Sequence, residues 1–156
     1  MIKITIPGFG DTELAHIVSD YNGTLAIDGF LIDGVKERLM QLANLATVHV
    51  ITADTFGRAA SQLADLPVQL HILSEGNEDV QKTQYVAGLG RRTVAAIGNG
   101  NNDRGMLETA RVGIAVIEGE GCAARAIAAA DIVVTHILSG LDLLLKSQRC
   151  KATLRY

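Results

Sequence analysis

The residues best suited to chemistry follow an apolar run near the start of the chain. Residues 17–20 read Ile-Val-Ser-Asp, and an Asn-Gly pair, which favours a turn, stands two residues later at Asn22 and Gly23. An apolar run bounded by a turn is typical of a buried strand, so Asp20 is predicted to stand at the strand's carboxyl end. A carboxylate at that position can act as a nucleophile or as a metal ligand.

Three further side chains that could take part in a reaction follow along the chain. Thr52 follows a predicted strand at residues 47–51, and its hydroxyl can donate a hydrogen bond to a phosphoryl oxygen. Lys82 can neutralise negative charge, and Asp103, which ends the Gly-Asn-Gly-Asn-Asn-Asp loop at 98–103, is a hard oxygen donor suited to Mg²⁺. Together these residue types describe phosphoryl transfer, in which positioning and charge stabilisation supply most of the catalysis.

An alternation of strands and helices would bring these groups together. Strands separated by helices predict a mostly parallel sheet covered on both faces, and such sheets bind ligands beyond the carboxyl ends of their strands. The pattern predicts strands at 47–51, 68–73, 93–97, 112–117 and 132–134, and helices from a cap at Asp33 to about 45, at 55–65 and 78–89, after 103, near 122–130 and near 139–146.

Two short hairpins are predicted before the first of these helices. Residues 2–6 alternate between apolar and polar and are followed, after turn residues, by the apolar run 14–19, which predicts an opening two-stranded ribbon. Asp28-Gly29 is the dipeptide that best fits a two-residue hairpin turn, so residues 25–32 are expected to form a small flap.

Length and composition indicate one ordinary globular domain. Of the 156 residues, 48% are hydrophobic and 20% charged, and the net charge of −3 gives no general reason to bind nucleic acid or an anionic membrane. No apolar run approaches the length of a membrane span, and the first residues lack the apolar core of a targeting segment. A cytoplasmic protein without nucleic-acid or membrane partners is therefore expected, and the basic tail at 146–156 is interpreted as a solvated end.

The cysteines and histidines are interpreted as structural. Cys122 and Cys150 are too few for a disulfide framework and lack metal-ligand spacing. Paired ligand spacing is also missing from the four histidines, which are His16, His49, His71 and His136.

The order of the chemical groups resembles the motifs of the haloacid dehalogenase-like hydrolase superfamily. The matching residues are Asp20-Tyr21-Asn22-Gly23-Thr24-Leu25, Thr52, Lys82 and the loop 98–103, and residues 93–134 are most similar to the phosphorylation domain of P-type ATPases. The resemblance covers residues 17–145 and implies a Rossmann-like three-layer sandwich. Because the flap and the segment 74–79 are short, residues 1–156 are expected to form a single domain without a cap, as in small soluble P-type ATPase-like proteins.

The resemblance also implies a role for each matching residue. Asp20 would attack a phosphorylated substrate of unknown class to form an aspartyl-phosphate, which Thr52 and Lys82 would stabilise. The implied Mg²⁺ ligands are Asp20, the backbone carbonyl of Asn22, Asn99 and Asp103. The implied phosphate-binding residues are Asn22, Gly23, Thr52, Ala53, Lys82 and Asn102. Family members without a cap commonly act on large substrates or use a neighbouring subunit as a lid, so a homo-oligomer is a further hypothesis.

Two positions depart from the pattern of the family. Many of its phosphatases have a second aspartate at the position of Asn22, where it transfers protons, and an amide cannot do so. Asn99 also replaces an aspartate, so weaker metal binding is expected. Turnover is therefore expected to be slow, and the alternative is a catalytically weakened protein that binds Mg²⁺ and phosphate for regulation.

The loop at 98–103 also supports a rival interpretation. Gly98-x-Gly100 follows a predicted strand and opens a helix, and Glu118 stands about twenty residues further on, as in a dinucleotide-binding unit. Against this hypothesis, Asp103 stands at the third glycine position, where its charge would oppose a pyrophosphate. The hypothesis also leaves residues 20–24 unexplained.

Overall fold

The computed structural model describes residues 1–54 and 57–156. The elements in these residues are β1 (Ile2–Ile6), β2 (Gly10–Leu14), β3 (His16–Asp20), β4 (Ala26–Ile27), β5 (Phe30–Leu31), α1 (Val35–Ala43), β6 (Thr47–Thr52), α2 (Ala59–Leu63), β7 (Gln69–Ile72), α3 (Glu78–Gly90), β8 (Val94–Gly98), α4 (Arg104–Thr109), β9 (Val112–Val116), α5 (Ala124–Ala129), β10 (Ile132–Val134), α6 (Ile137–Leu145) and α7 (Ser147–Leu154).

A six-stranded parallel sheet forms the centre of the molecule, in the order β10-β9-β8-β3-β6-β7. From β3 the chain moves outward through β6 to β7, and then crosses back to β8 on the other side of β3. The strand order therefore reverses beside β3, and open α/β sheets bind their ligands at such a point. The predicted parallel sheet is confirmed.

Helices cover both faces of this sheet, because successive side chains of a strand point to opposite sides. Ile17 packs in the core that includes α1 and α6, whereas Val18 packs with side chains of α3, α4 and α5. Gly113 allows α4 to lie close to β9, since a Cβ at this position would be 2.5 Å from the carbonyl oxygen of Leu107. The result is the three-layer α/β arrangement that the motifs imply.

The N-terminal ribbon exists but pairs different residues from those predicted. β1 pairs antiparallel with β2, so that Ile2 lies opposite Leu14. The apolar run 14–19, predicted as the second ribbon strand, instead supplies most of β3 in the centre of the main sheet. The prediction was wrong because β2 alternates exposed polar residues with the buried Thr12 and Leu14, and this period of two outweighed the turn propensity of its first residues.

The flap has the predicted form. β4 and β5 pair antiparallel with Ile27 opposite Phe30. Between them Asp28 and Gly29 adopt φ values of 52° and 81°, as a two-residue type I′ turn requires.

The start of α1 differs from the prediction by one residue. Asp33 was predicted as its N-cap, but the N-cap is Gly34, whose φ is 87°. A left-handed conformation at this point favours glycine, so the turn extends one residue beyond the aspartate. The helix predicted over 55–65 is the shorter α2, and residues 55 and 56 lie outside the described residues.

The basic tail folds into α7, a helix that the sequence did not predict. It contacts β1 and α6, and its Cys150 is buried. Beyond it, the backbone nitrogen of Tyr156 donates to the carbonyl of Pro7, 3.1 Å away. Within residues 1–54 and 57–156, no helix combines the length and the apolar character needed to cross a membrane.

Candidate active site

Asp20 is the last residue of β3, and its carboxylate is buried at the carboxyl edge of the sheet with 7% exposure. It shares a strand face with Val18, the face that α3 covers. Helix α3 turns Lys82 and Val86 inward, one helical turn apart. The topology therefore brings the amine of Lys82 to a carboxylate 62 residues earlier in the chain.

Lys82 bridges two carboxylates. Its Nζ lies 2.7 Å from Oδ1 of Asp20 and 2.7 Å from Oδ1 of Asp103, and all three side chains are buried. Burial, followed by the charge of Asp103, raises the pKa of Asp20 to about 7 against the opposing effect of Lys82. Burial lowers the pKa of Lys82, but the two carboxylates raise it more, so it lies above its ordinary value. One ammonium between two carboxylates leaves this buried cluster with an excess of negative charge when both are ionised.

Asp103 holds together the loop of residues 98–103, called here the Asp103 loop. Its Oδ2 accepts hydrogen bonds from the backbone nitrogens of Asn99 at 2.9 Å and Gly100 at 2.8 Å. Gly98 is needed here because a Cβ at this position would lie 2.6 Å from the Asp103 side chain. Both oxygens of Asp103 are thus engaged, one by Lys82 and the other by the loop.

This geometry does not fit dinucleotide binding. The amides of Asn99 and Gly100, which a pyrophosphate would need, are occupied by Asp103. Glu118, the carboxylate expected on a ribose, accepts from the backbone nitrogen of Ile137 at the start of α6 and lies 3.4 Å from Nδ1 of His136. The loop amides and Glu118, which suggested a dinucleotide site, therefore make their hydrogen bonds within the protein.

Thr24 connects the first motif with the Asp103 loop. Its Oγ1 lies 3.4 Å from Oδ2 of Asp20 and 3.1 Å from Oδ1 of Asn99, and its single proton can serve only one of them at a time. The amide nitrogen of Asn99 donates to the carbonyl of Gly121 at 3.0 Å. Gly23 allows the two loops to approach, because a Cβ there would lie 2.4 Å from that nitrogen. The sequence assigned Thr24 no role, although its place inside the first motif was an available signal.

Thr52 and Ala53 follow at the carboxyl end of the neighbouring strand β6. The side chain of Thr52 is buried, and its Oγ1 accepts a hydrogen bond from the backbone nitrogen of Asp54 at 2.9 Å. A hydroxyl that accepts one bond still has its own hydrogen to donate. The structure records no hydrogen bond from Thr52 or Ala53 to Asp20 or Lys82 in the described part of the chain.

Asn102 is positioned by the first turn of α3. Its side-chain nitrogen donates to Oε2 of Glu78 at 2.9 Å. No motif indicated Glu78, because a single glutamate in a helix's first turn is ordinary for that position. Asn102 also lines a cavity of about 710 Å³ between α3 and α4 that does not include Asp20, Thr52 or Lys82.

Asn22 contains a buried polar atom without a hydrogen-bond partner among the described residues. This atom is its side-chain oxygen, Oδ1. A buried acceptor left unpaired costs about 1–3 kcal/mol, and such an atom needs an explanation in a folded protein. A bound group that approaches this end of the first motif would supply the partner.

The oxygens of this site fit a hard divalent cation. Carboxylate, amide and backbone carbonyl oxygens are the ligands that Mg²⁺ takes, and Asp20, Asn22 and Asn99 offer one of each kind. The negative excess of the Asp20–Lys82–Asp103 cluster favours a cation for a separate reason. In the described ranges, no group of three or more His, Cys, Asp or Glu side chains could hold a metal, so a site here depends on the neutral oxygens.

Comparisons with known proteins agree with this architecture. Residues 54–137 match the haloacid dehalogenase-like hydrolase family. An uncharacterized protein of Methanocaldococcus jannaschii is 43% identical over 84 residues, which cover 51% of this chain and 90% of that protein.

Two solved structures share the fold. The 3-deoxy-D-manno-octulosonate 8-phosphate phosphatase of Moraxella catarrhalis, in complex with magnesium, phosphate and KDO, aligns with a TM-score of 0.66 and 19% identity over 89% of this chain and 90% of that chain. A zinc-transporting PIB-type ATPase in the E2.Pi state aligns with a TM-score of 0.63 and 25% identity over 78% of this chain and 20% of the ATPase chain. With the family match extending over more than half of its length, this chain belongs to the haloacid dehalogenase-like hydrolases.

Proposed function

We propose that this protein is a Mg²⁺-dependent phosphohydrolase that works through an aspartyl-phosphate on Asp20. The observation that carries the proposal is the contact of 2.7 Å between the buried Lys82 ammonium and Oδ1 of Asp20, at the carboxyl end of the strand where the sheet order reverses. Among residues 1–54 and 57–156, Oδ2 of Asp20 has only the long contact with Thr24, so it is the oxygen with a lone pair available for attack on phosphorus.

Mg²⁺ would be held by Asp20, the backbone carbonyl of Asn22 and Asn99. When bound, it supplies positive charge to the phosphoryl oxygens. Asp103 is the fourth expected ligand. Its Oδ1 accepts from Lys82 and its Oδ2 accepts from the backbone nitrogens of Asn99 and Gly100, and a carboxylate oxygen that accepts one bond keeps a lone pair for a cation. Asp103 would therefore offer Oδ1 to the cation while it holds Lys82 and the loop in place.

The phosphoryl group would be bound by donors from four parts of the chain. Lys82 contributes an ammonium and Thr52 a hydroxyl hydrogen. The other donors are the backbone amide of Ala53 and the side chains of Asn22 and Asn102. The backbone amide of Gly23 donates to the carbonyl of Ala26 at 2.8 Å, so Gly23 would contribute by letting the phosphoryl group come close to the first motif. Preorganised donors of this kind stabilise the charge that develops in phosphoryl transfer. The substrate is a phosphorylated compound of unidentified class, since the Moraxella phosphatase shares the fold at only 19% identity.

Hydrolysis of the intermediate is proposed to be slow. Water that attacks the aspartyl-phosphate must lose a proton, and the carboxamide of Asn22 cannot accept one. The same residue favours a second candidate function, a protein that binds Mg²⁺ and phosphate for regulation and does not turn over. Catalytic release of phosphate distinguishes the two.

The test measures phosphate release from acetyl phosphate or an aryl phosphate with Mg²⁺, together with the intact mass of the acid-quenched protein. Wild type should release phosphate and show a phosphoryl adduct, and Asp20→Asn should abolish both. Asp28→Asn is the matched control, because Asp28 is an exposed flap residue outside the proposed machinery, and it should retain release. Release that survives in Asp20→Asn contradicts the nucleophile, and binding of Mg²⁺ and phosphate without release favours the regulatory candidate.

We also propose that residues 1–156 act without a cap and that a second copy of the chain covers the site. The flap consists of β4 and β5 only, and its Phe30 is 54% exposed with the Arg58 guanidinium 4.4 Å from the ring centre. Sedimentation velocity should therefore detect an oligomer, and Phe30→Ser should weaken it. A monomer at all accessible concentrations would contradict this part of the proposal.

A further inference from the structure

We infer that this enzyme accepts phosphoryl groups only from donors whose leaving group departs without taking a proton, namely acyl phosphates, phosphoanhydrides and aryl phosphates. Alkyl phosphates, which include sugar phosphates, are then poor donors. The inference rests on the proposed function and concerns the first half of the reaction, in which Asp20 becomes phosphorylated. The slow hydrolysis proposed above concerns the second half.

The first step fixes where a proton donor would have to stand. Oδ2 of Asp20 forms a new bond to phosphorus, the bond between phosphorus and the leaving oxygen breaks, and its electron pair stays on that oxygen. The attacking and leaving oxygens lie roughly in line on opposite sides of phosphorus. A donor for the leaving group must therefore stand on the side of phosphorus away from the Asp20 carboxylate.

Lys82 and Thr24 stand on the wrong side for this task. Both contact the carboxylate of Asp20, at 2.7 Å and 3.4 Å. Lys82 is also held by Asp103 at 2.7 Å and is 1% exposed, so it cannot leave the nucleophile to reach the leaving oxygen. These two side chains stabilise the attacking end of the transition state.

Three carboxylates in the loops near the carboxyl edge of the sheet already accept hydrogen bonds from other parts of the protein. Asp54 accepts from two backbone nitrogens at the start of α2, Glu78 accepts from Asn102, and Glu120 accepts from the backbone nitrogen of Asp28. These contacts hold the three carboxylates in place within the fold. The hydroxyl of Tyr21 donates its hydrogen to the carbonyl of Gly29 at 2.9 Å, so that hydrogen is already engaged in the fold.

Residue 22 follows the nucleophile by two positions, where many phosphatases of the family have an aspartate, and here it is an amide. The side chain of Asn22 can donate or accept a hydrogen bond, and its unpaired Oδ1 is an acceptor. It cannot transfer a proton to an oxygen that is becoming an anion. The leaving group must therefore be stable as an anion.

The acidity of the leaving group then selects the donor. A carboxylate, with a pKa of about 4, and a phenolate, with a pKa of about 10, can leave as anions. So can a phosphate, whose second pKa is about 6. An alkoxide is about as basic as hydroxide, so its departure without a proton is slow. General acid catalysis typically contributes about 10²–10⁴-fold, which sets the size of the expected discrimination.

The experiment compares donors that differ in leaving group. Acetyl phosphate, p-nitrophenyl phosphate, phenyl phosphate and glucose 6-phosphate are each mixed with Mg²⁺ and protein, and both the mass of the acid-quenched phosphoenzyme and phosphate release are followed. In wild type, the rate of phosphoenzyme formation should fall as the leaving-group pKa rises, and glucose 6-phosphate should react at least about 100-fold more slowly than phenyl phosphate.

Two variants of residue 22 sharpen the comparison. Asn22→Asp should raise phosphoenzyme formation from glucose 6-phosphate about 10²–10⁴-fold and change the reaction with acetyl phosphate only a few-fold. Asn22→Thr is the matched control, since threonine is polar but cannot act as an acid, and it should keep the wild-type order of donors. Urea midpoints verify that the variants fold, and the wild-type comparison across donors does not depend on them.

The possible results test the donor preference and the proposed phosphohydrolase function separately. Equal rates from acetyl phosphate and glucose 6-phosphate in wild type overturn the inference and leave the Asp20 chemistry intact. An equal gain in Asn22→Thr and Asn22→Asp overturns it too, because proton transfer would not explain the gain. Failure of every donor to form a phosphoenzyme or to release phosphate overturns the proposed function and the inference with it.

Discussion

Helix α3 contributes to two polar clusters at opposite ends of β3, one of them fully buried and the other centred on the buried His49. At the carboxyl end it places Lys82 between Asp20 and Asp103. At the amino end, Nδ1 of His16 lies 3.1 Å from Nε2 of His49, and Nδ1 of His49 lies 2.9 Å from the hydroxyl of Tyr85 on α3. The two clusters share the same strand and helix, but they differ in charge.

The histidine cluster is internally satisfied. Burial, together with His16, lowers the pKa of His49 to about 4, so His49 is neutral at pH 7. The cluster at Asp20 carries an excess of negative charge when both carboxylates are ionised, and Asn22, two residues after Asp20, has a buried oxygen without a partner in the described part of the chain. A buried network whose groups pair among themselves stabilises a fold, whereas one with charge and an unpaired atom is completed by a ligand. The comparison therefore separates a structural cluster from the candidate site.

The largest expected effect is that of Lys82→Met. It removes the cation from between two buried carboxylates, so the free energy of unfolding without Mg²⁺ should fall by about 3–5 kcal/mol. Phosphoenzyme formation should fall about 10²–10³-fold as one charged donor is lost. Urea denaturation at pH 8 measures the first quantity. Addition of Asp103→Asn to this variant should restore part of the stability, and full stability of Lys82→Met alone would show that the cluster is not charged.

The histidine cluster should respond to acid. Because the pKa of His49 is lower in the folded chain than the value of about 6.5 expected when unfolded, the unfolded chain binds more protons between pH 6.5 and 4. Stability due to neutral His49 is therefore complete above this window and is lost as the pH falls through it. Between pH 7 and 4, wild type should lose about 3 kcal/mol relative to His49→Gln. If urea denaturation showed the same loss of stability between pH 7 and 4 in both proteins, the neutral state of His49 would be contradicted.

Asn99→Asp should strengthen the binding of Mg²⁺. The substitution replaces a neutral oxygen by a charged one at the proposed site, and ligand charge is a main determinant of affinity for hard cations. We expect an increase of about tenfold, equivalent to about 1.4 kcal/mol, measured by calorimetric titration. Asn44→Asp, in the exposed turn after α1, is the control and should leave the affinity unchanged.

The smallest effect is expected for Tyr85→Phe. The substitution removes the hydroxyl bonded to His49 and should cost about 1–2 kcal/mol of stability, because a nitrogen of the buried His49 loses its hydrogen-bond partner. Phosphate release should stay at the wild-type rate, since the histidine cluster lies at the other end of β3. A loss of activity comparable to that of Lys82→Met would mean that the two clusters act as one unit.

Sequence patterns predicted most elements of the sheet and missed features that depend on tertiary contacts. β3, β8 and β9 have the mostly apolar sequences of strands that are buried on both faces. Their bounds were therefore predicted within one or two residues, and the start of β3 was placed too early. β2 was missed because its polar residues resemble a turn until the ribbon buries Thr12 and Leu14. α7 was missed because its packing against β1 involves residues more than 140 positions apart.

Three of the four motifs contribute a residue to one cluster, namely Asp20, Lys82 and Asp103, whereas Thr52 makes no recorded hydrogen bond to them in the described residues. Thr24, Asn99 and Gly23 connect the first motif with the Asp103 loop. Glu78 had no local signal, because its contact with Asn102 depends on how α3 meets the Asp103 loop. The roles assigned to these residues stay predictions that the variants above test.

By itself, the sequence determined which chemical groups are present, their order along the chain and the parallel sheet that gathers them. These follow from residue type and periodicity, which are local properties. Only the tertiary structure decided that Lys82 bridges Asp20 and Asp103, that Asp103 is engaged on both oxygens and that Oδ1 of Asn22 is unpaired. These features depend on contacts across 62 and 21 residues and on burial, which arise when α3 packs on the sheet.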